Sequence, residues 1–255
     1  LDQYRDQTPY VSDLNGKPLN ANPFKDVRVR QALSLAVNRE ALVRSIMRGK
    51  AVATNTIISD SVFGYDPRIA QTGQYDLQKA KALLKEAGFE NGFAFTLDTP
   101  NNRWVNDENL CKALAGMWAK LNVKVNVHSM PRVQYFPKVL SFDTSAGLVG
   151  WGSSTFDAFY PLQSLSATYD GTSGAGISNI GRASDKQMDA LLKKLNLAEE
   201  LNEREAIARQ ALSLEQKRVL HIPLLQPMFS WAMKKNIDPI VRPDNKLTLE
   251  WIVMH

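Results

Sequence analysis

Apolar residues recur at two different spacings along the chain, and each spacing predicts a type of element. Helical spacing is clearest between Asp76 and Gly88, an N-cap and a stop residue that bracket a stripe of apolar side chains. A second helical stripe begins at Asp26, is interrupted at Asn38 and ends at Gly49. Helical spacing also occurs over 110–117, 133–140, 188–195 and 207–214.

Three strands are predicted between these helices. Apolar and polar residues alternate at 93–97 and 123–127, and a short apolar run follows at 146–151. The resulting order, strand–helix–strand–helix–strand, is typical of βαβ units on a mainly parallel sheet. Ligands of such sheets bind beyond the carboxyl ends of the strands. The loops 98–106 and 150–161 are therefore the predicted ligand-binding loops.

The remaining segments are less regular. Residues 1–22 are polar and rich in turn residues, which predicts an extended lead-in, and 170–181 form a loop rich in Gly and Ser. Short apolar runs predict buried strands or strand edges at 222–225 and 229–232, and alternation predicts a last strand at 247–253. Neither a repeat nor a linker divides the chain.

Composition narrows the classes of function. The 255 residues, 44% of them hydrophobic, suffice for one large domain or two modest ones. The net charge of +5 is dispersed, which argues against nucleic-acid binding. Cys111 is the only cysteine, so we expect neither an intrachain disulfide nor a thiol-based zinc site. No apolar stretch approaches the roughly 20 residues that are needed to cross a membrane.

Sequence signatures of enzymes and metal sites are missing. The stretch Gly150-Trp151-Gly152 lacks the third glycine of a dinucleotide-binding loop, and neither a Gly-x-Ser-x-Gly elbow nor an Asp-x-Asp calcium loop occurs. We therefore expect a protein that is not an enzyme and that needs no cofactor or metal. Two alternatives stay open: an α/β enzyme assembled from distant residues, and a protein-interaction module with an exposed apolar groove.

Two long blocks resemble a known family. One begins Asn-Pro-Phe-Lys-Asp-Val-Arg-Val-Arg-Gln-Ala and lies within 22–50, and the other is Tyr-Asp-Leu-Gln-Lys-Ala-Lys-Ala-Leu-Leu-Lys-Glu-Ala-Gly-Phe at 75–89. The agreement recurs at Trp-Ala-Lys-Leu-Asn-Val, 118–123, and around Trp151. These blocks are similar to those of the family-5 extracellular solute-binding proteins, which include dipeptide-, oligopeptide- and nickel-binding components of ABC importers.

The resemblance implies an α/β lobe of the type II periplasmic-binding-protein kind and a place within a longer protein. Family members have two lobes that close on a ligand, and this chain resembles the carboxy-terminal one, which fits its start at Leu1 without an initiator methionine. Residues 1–22 would lead in from the hinge and first lobe, 23–232 would form the ligand-binding lobe, and 233–255 would return toward the first lobe. The implied partners are the missing amino-terminal lobe, a small peptide or peptide-like ligand, and a membrane permease. The implied location is the periplasm or a lipid-anchored extracytoplasmic position.

The resemblance also suggests a carboxylate-binding arginine. In dipeptide-binding relatives an arginine after the strand that matches 93–97 holds the peptide carboxylate, and Arg103 occupies the similar place. A guanidinium can offer a carboxylate two parallel N–H bonds. The alternatives are a solvated loop arginine or a pair with Asp107 or Glu108.

The second part of the implied site departs from the family pattern. Trp151 matches a tryptophan at a strand end, but Ser154 stands where relatives carry the aspartate that holds the peptide amine. Asp157 matches a second acidic residue, with helix capping as its alternative role. Phe156 and Tyr160, with Phe159, would form an apolar wall or ordinary core.

The ligand predicted from this pattern has a carboxylate and no obligatory free amine. A modified peptide, an opine-like conjugate or an organic-acid metal chelate would fit. The same scaffold binding a nickel chelate, an opine or a sugar is the alternative within the family. Asn179 also matches a family position, and we expect it to bond within its loop.

Overall fold

Helices and strands alternate in this computed structural model, which describes residues 1–71, 73–240 and 247–255. The strands are β1 (Val11–Ser12), β2 (Ala51–Ala53), β3 (Phe93–Pro100), β4 (Val123–Met130), β5 (Leu225–Pro227), β6 (Ile237–Asp238) and β7 (Val253–Met254). The α-helices are α1 (Val27–Leu35), α2 (Arg39–Ala41), α3 (Pro67–Ala70), α4 (Leu77–Glu86), α5 (Asp107–Trp118), α6 (Arg132–Leu140), α7 (Phe159–Leu165), α8 (Lys186–Leu197) and α9 (Leu201–Arg218). A π-helix (Leu42–Ile46) continues α2, and short 3-10 helices cover Pro23–Lys25, Ala119–Leu121 and Leu249–Trp251.

The predicted βαβ unit forms the main sheet, whose strand order is β1-β3-β4. Strands β3 and β4 are parallel over eight residue pairs, from Phe93↔Val123 to Pro100↔Met130, and α5 connects them. The two residues of β1 pair antiparallel with β3. The strand predicted at 146–151 is reduced to a parallel bridge between Asp98 and Gly147. That prediction was too long, because the chain leaves the edge of β3 directly after this contact.

Side-chain caps fix the helices that precede the sheet. The carboxylate of Asp76 accepts a hydrogen bond from Lys79 N at the start of α4, and Asp26 accepts one from Arg28 N at the start of α1. The predicted break at Asn38 is confirmed, since its side chain caps α2 by accepting from Ala41 N.

Two large hydrophobic clusters form most of the core, and a third, of Met130, Tyr135 and Val139, joins β4 to α6. The larger packs α1, α4 and α5 around the sheet, with Phe24 edge-on to Phe95 at a ring-centroid distance of 5.2 Å. The smaller lies among α7, α8 and α9, where Leu162, Met188 and Leu212 are buried. The helices predicted at 188–195 and 207–214 are part of this cluster, and the loop predicted at 170–181 contains only turns and irregular backbone.

Two buried arginines of the first sequence block join distant segments. The guanidinium of Arg30 donates to the carbonyls of Phe24, Lys25, Arg218 and Val219, so it connects α1 to the end of α9. Arg39 donates to Pro223 O, to Ser34 and to Asn55 Oδ1. Burial lowers the pKa of each guanidinium to about 10, so both stay charged near neutral pH. These arginines of the block therefore stabilise the fold.

The predictions for the last 35 residues were largely wrong. The expected strand at 222–225 is shifted to β5, and 229–232 form no strand. The side chain of Phe229 is 55% exposed, so this segment is not buried. Over 247–253 the structure has the 3-10 helix Leu249–Trp251 and the start of β7, which pairs with β6 in an exposed hairpin. Within the proposed return segment 233–255, residues 241–246 lie outside the described residues.

In the described parts of the chain, no helix has the length and apolar character that a membrane crossing requires.

Candidate functional site

The two loops predicted to bind ligand lie side by side at one edge of the sheet. The ring of Trp104, in the loop after β3, packs so closely on Gly150 that a Cβ atom there would lie 2.5 Å from Trp104 Nε1. Trp104 also packs edge-on against Phe136 of α6, with ring centroids 6.3 Å apart. Trp104 was not among the site residues predicted from the sequence, although an aromatic residue beside a candidate arginine is a usable signal.

Asp107 orders the loop that carries Arg103. Its buried carboxylate accepts hydrogen bonds from the backbone N–H groups of Arg103 and Trp104, each at 3.1 Å. The predicted alternative of a pair between Asp107 and the guanidinium is therefore replaced by bonds to the backbone. Glu108, the other alternative partner, pairs with Lys112 at 2.6 Å.

The guanidinium of Arg103 has open donors. Its Cζ lies 5.4 Å from the ring centroid of Trp104, a cation–π arrangement that holds the group over an aromatic face. Within residues 1–71, 73–240 and 247–255 it makes neither a hydrogen bond nor an ion pair, and the residue is exposed. A cation in this state is available to an anion from solution.

The rings of Trp151 and Tyr160 pack against each other. Their ring centroids are 5.5 Å apart with an interplanar angle of 42°. Both side chains are half-buried, so Trp151 is not a fully buried core residue. The buried indole Nε1 of Trp151 has no hydrogen-bond partner among the described residues. This pair offers an apolar surface.

Asp157 is held by internal contacts. Its Oδ1 accepts from Phe159 N at 2.7 Å, at the start of α7, and its Oδ2 accepts from Nε and Nη2 of Arg204, each at 3.0 Å. Arg204 also donates to Leu195 O and so joins α9 to α8. These contacts correspond to the capping alternative, and a ligand contact of Asp157 stays a prediction.

The other predicted site residues are placed as follows. Ser154 is exposed on the loop after Trp151. Phe156 is half-buried in the left-handed region at φ 55°, and its carbonyl accepts a bond from Phe63 N. Phe159 packs against the smaller core cluster and does not join the Trp151–Tyr160 pair. Asn179 is buried and bonds to Ala167 and Ala183, as expected for a loop role.

A family model and several curated relatives match the chain. The model for bacterial extracellular solute-binding proteins, family 5 (middle region), matches residues 3–173. Heme-binding protein A of Haemophilus influenzae is 29% identical over 211 residues, which cover 79% of this chain and 37% of that protein. The dipeptide-binding protein of Escherichia coli is 27% identical over 231 residues, which cover 86% of this chain and 42% of that protein. The chain thus spans about two fifths of the length of these relatives.

Solved structures share the fold. HbpA2 from Haemophilus parasuis superposes with a TM-score of 0.78 at 24% identity, covering 96% of this chain and 48% of that one. The ABC transporter-associated periplasmic binding protein DppA from Helicobacter pylori, in complex with the peptide STSA, superposes with a TM-score of 0.78 at 21% identity. The match covers 96% of this chain and 46% of that one. The predicted α/β fold of the type II periplasmic-binding-protein kind is confirmed by these matches.

Proposed function

Because the chain belongs to the bacterial extracellular solute-binding proteins of family 5, we propose that it is a ligand-capturing lobe of an ABC importer's binding protein. The relatives matched above are binding proteins. A ligand that contacts this lobe and a facing lobe stabilises the closed arrangement of the two by its differential affinity. A single lobe offers part of the contacts, so this chain alone binds more weakly than a protein with both lobes.

The proposed division of the chain assigns 23–232 to the ligand-binding lobe, 1–22 to the lead-in and 233–255 to a return segment. The exposed apolar side chains near the end of the chain support a covering surface in the facing lobe. Among them Leu249, Trp251, Val253 and Met254 are 72%, 44%, 52% and 76% exposed. Burying this many apolar side chains against another surface would stabilise the contact between the two surfaces.

The observation that carries the proposed function is the unpaired guanidinium of Arg103. It lies over Trp104, and the ring of Trp104 contacts Gly150, the residue before Trp151. A carboxylate bound in the plane of the guanidinium receives two N–H bonds. The Trp151–Tyr160 pair supplies apolar surface for the rest of the ligand. A peptide or peptide-like molecule with a free carboxylate matches both features.

Within the loops 98–106 and 150–161, the structure leaves no carboxylate free to bind a ligand amine. Ser154 brings a hydroxyl without charge, and the carboxylate of Asp157 is neutralised by Arg204 at 3.0 Å. The ligand therefore carries a carboxylate and no obligatory amine, as in a modified peptide, an opine-like conjugate or an organic-acid chelate. A membrane permease is the proposed downstream partner, and the periplasm, or a lipid-anchored extracytoplasmic position, is the proposed location.

A titration with matched ligands tests this function. N-acetyl-Leu-Leu and its carboxamide differ only in the terminal carboxylate, and free Leu-Leu differs only in the amine. Followed by NMR on the 255-residue chain, the acid binds at least about tenfold tighter than the carboxamide, the size of one charge-assisted hydrogen bond. The free dipeptide binds no tighter than its acetylated form. Equal binding of acid and carboxamide refutes the carboxylate site, and a clear preference for the free amine refutes the ligand class.

A further inference from the structure

A groove of about 1000 Å³ is lined in part by Val105 and Asn106, the end of the loop that carries Arg103, but by neither Trp104 nor Trp151. Residues from three segments line it: 45–50, which begins at the end of the π-helix, 105–113 in the loop and α5, and 227–230 at the end of β5. Its volume is at the upper end of the range for small-molecule sites, about 300–1,000 Å³.

The charged residues that line the groove are all cationic. Arg48, Lys50 and Lys112 line it, and its lining includes neither aspartate nor glutamate among the described residues. Lys112 is paired with Glu108 at 2.6 Å. Arg48 and Lys50 are exposed and, in the described ranges, have no ion-pair partner. The groove therefore holds two cations without an ion-pair partner. A cleft lined by charges of one sign raises the local concentration of oppositely charged ions, here anions.

Apolar side chains provide a second component of the lining. Val105 is 68% exposed, and Met228 and Phe229 are more than half exposed. Cations beside uncovered apolar surface suit a ligand group that is anionic at its end and apolar along its stem.

The backbone at the two walls of the groove has unusual conformations. Arg48 lies in the left-handed region at φ 51° and Asn106 at φ 58°. For Arg48 this conformation has a steric cost, whereas Asn adopts it more readily than most residues do. The wall that precedes Arg48 is the π-helix Leu42–Ile46, an element that is frequent at functional sites.

One hydrogen bond joins these walls. The side-chain amide of Asn106 donates to Ile46 O at 3.0 Å, so the Arg103 loop is fixed to the π-helix segment. The groove is thus built on ordered backbone on both sides.

We infer that this groove is a second anion-binding subsite for the same ligand, so that the ligand carries two acidic groups and an apolar portion. The inference rests on the proposed function, because it takes the first acidic group to be the carboxylate at Arg103. Val105 follows Arg103 by two residues, a Cα separation of at most about 7 Å. The backbone of Arg103 therefore adjoins the Val105 wall of the groove.

The test compares N-acetyl-Glu-Leu with N-acetyl-Gln-Leu, which are nearly isosteric and differ in one carboxylate. For the unmodified chain the Glu peptide binds about tenfold tighter, the worth of one charge-assisted contact. The double variant Arg48→Gln/Lys50→Gln removes this preference. Lys193→Gln, an exposed lysine on α8, removes one charge far along the chain and keeps the preference.

NMR shifts of the side-chain amides of Asn106 and Asn109 report the groove directly, and both residues line it. The inference is supported when the Glu peptide shifts these amides more than the Gln peptide does. It is overturned when both peptides bind equally and shift only resonances of the Arg103 and Trp151 loops, a result that leaves the proposed function standing. Shifts at the groove without any at Arg103 support the groove as an anion site but refute the proposed function and the two-point ligand.

Discussion

Oδ2 of Asp157 lies 3.0 Å from both Nε and Nη2 of Arg204, a residue 47 positions later in the chain. This fork joins the loop that follows Trp151 to α9, and the same carboxylate caps α7 through Phe159 N. Since both groups are mostly shielded from water, with side-chain exposures of 24% and 21%, the pair is positioned to stabilise the fold.

The first prediction concerns this pair. Asp157→Asn weakens the contact with Arg204 and leaves the guanidinium partly buried with a neutral partner, so the free energy of unfolding falls by about 1–3 kcal/mol. Urea denaturation of the variant and the unmodified chain measures the difference. Glu205→Gln is the control, because the Arg209–Glu205 pair is more exposed, at 40% and 37%, and its loss costs less than about 1 kcal/mol. Equal effects of the two substitutions would contradict the special role of Asp157.

The second prediction uses two neighbouring glycines. Gly150→Ala places a methyl group 2.5 Å from Trp104 Nε1, so the indole must move, and with it the platform under Arg103. We expect binding of N-acetyl-Leu-Leu to weaken by about tenfold, in line with the sensitivity of binding to small displacements of positioning groups. A Cβ atom at Gly152 meets no atom within 4 Å, so Gly152→Ala is the matched control and binds as the unmodified chain does. If both variants bind normally, Trp104 does not position Arg103.

The third prediction concerns acid stability. Hydrogen bonds from the Arg68 side chain, together with a bond from its backbone N–H, lower the pKa of Asp66 to about 2 from an unfolded value of 3.8. A carboxyl group whose pKa is depressed in the folded state contributes stability above the unfolded pKa and loses it as the pH falls through the folded value. Asp66→Asn therefore destabilises the chain at pH 5 to 7, and its deficit shrinks between pH 4 and 2. Chemical denaturation across this range checks the trend, and a deficit that grows on acidification is incompatible with it.

The sequence predicted correctly those caps and strands that depend on residues close together in the chain. Asp76, Asn38 and the alternation at 93–97 each act within a few positions, and the structure has the expected cap, break and strand. Contacts between distant residues left no such signal. Arg204 is 47 positions from Asp157, and Trp104 meets Gly150 across 46 positions, so neither pairing can be inferred from spacing.

The errors at the end of the chain have one physical cause. An apolar run such as 229–232 looks the same in sequence whether the chain's own core or another surface covers it. The structure leaves Phe229 and Trp231 55% and 37% exposed, so the hydrophobic pattern was real but the assumed burial was wrong. For the candidate site, the sequence predicted Arg103, Trp151 and Tyr160 as ligand-binding residues, and this stays a prediction, whereas the aromatic support from Trp104 emerged only from packing.

A thermodynamic cycle on Arg103 tests the central claim most directly. N-acetyl-Leu-Leu and its carboxamide are titrated against the unmodified chain, Arg103→Gln and the charge control Lys193→Gln. The guanidinium of Arg103 is the proposed partner of the carboxylate, so the acid binds about tenfold tighter than the carboxamide to the unmodified chain and to the control. With Arg103→Gln the two ligands bind equally. If the variant keeps the full preference for the acid, the carboxylate is bound elsewhere and the proposed site is wrong.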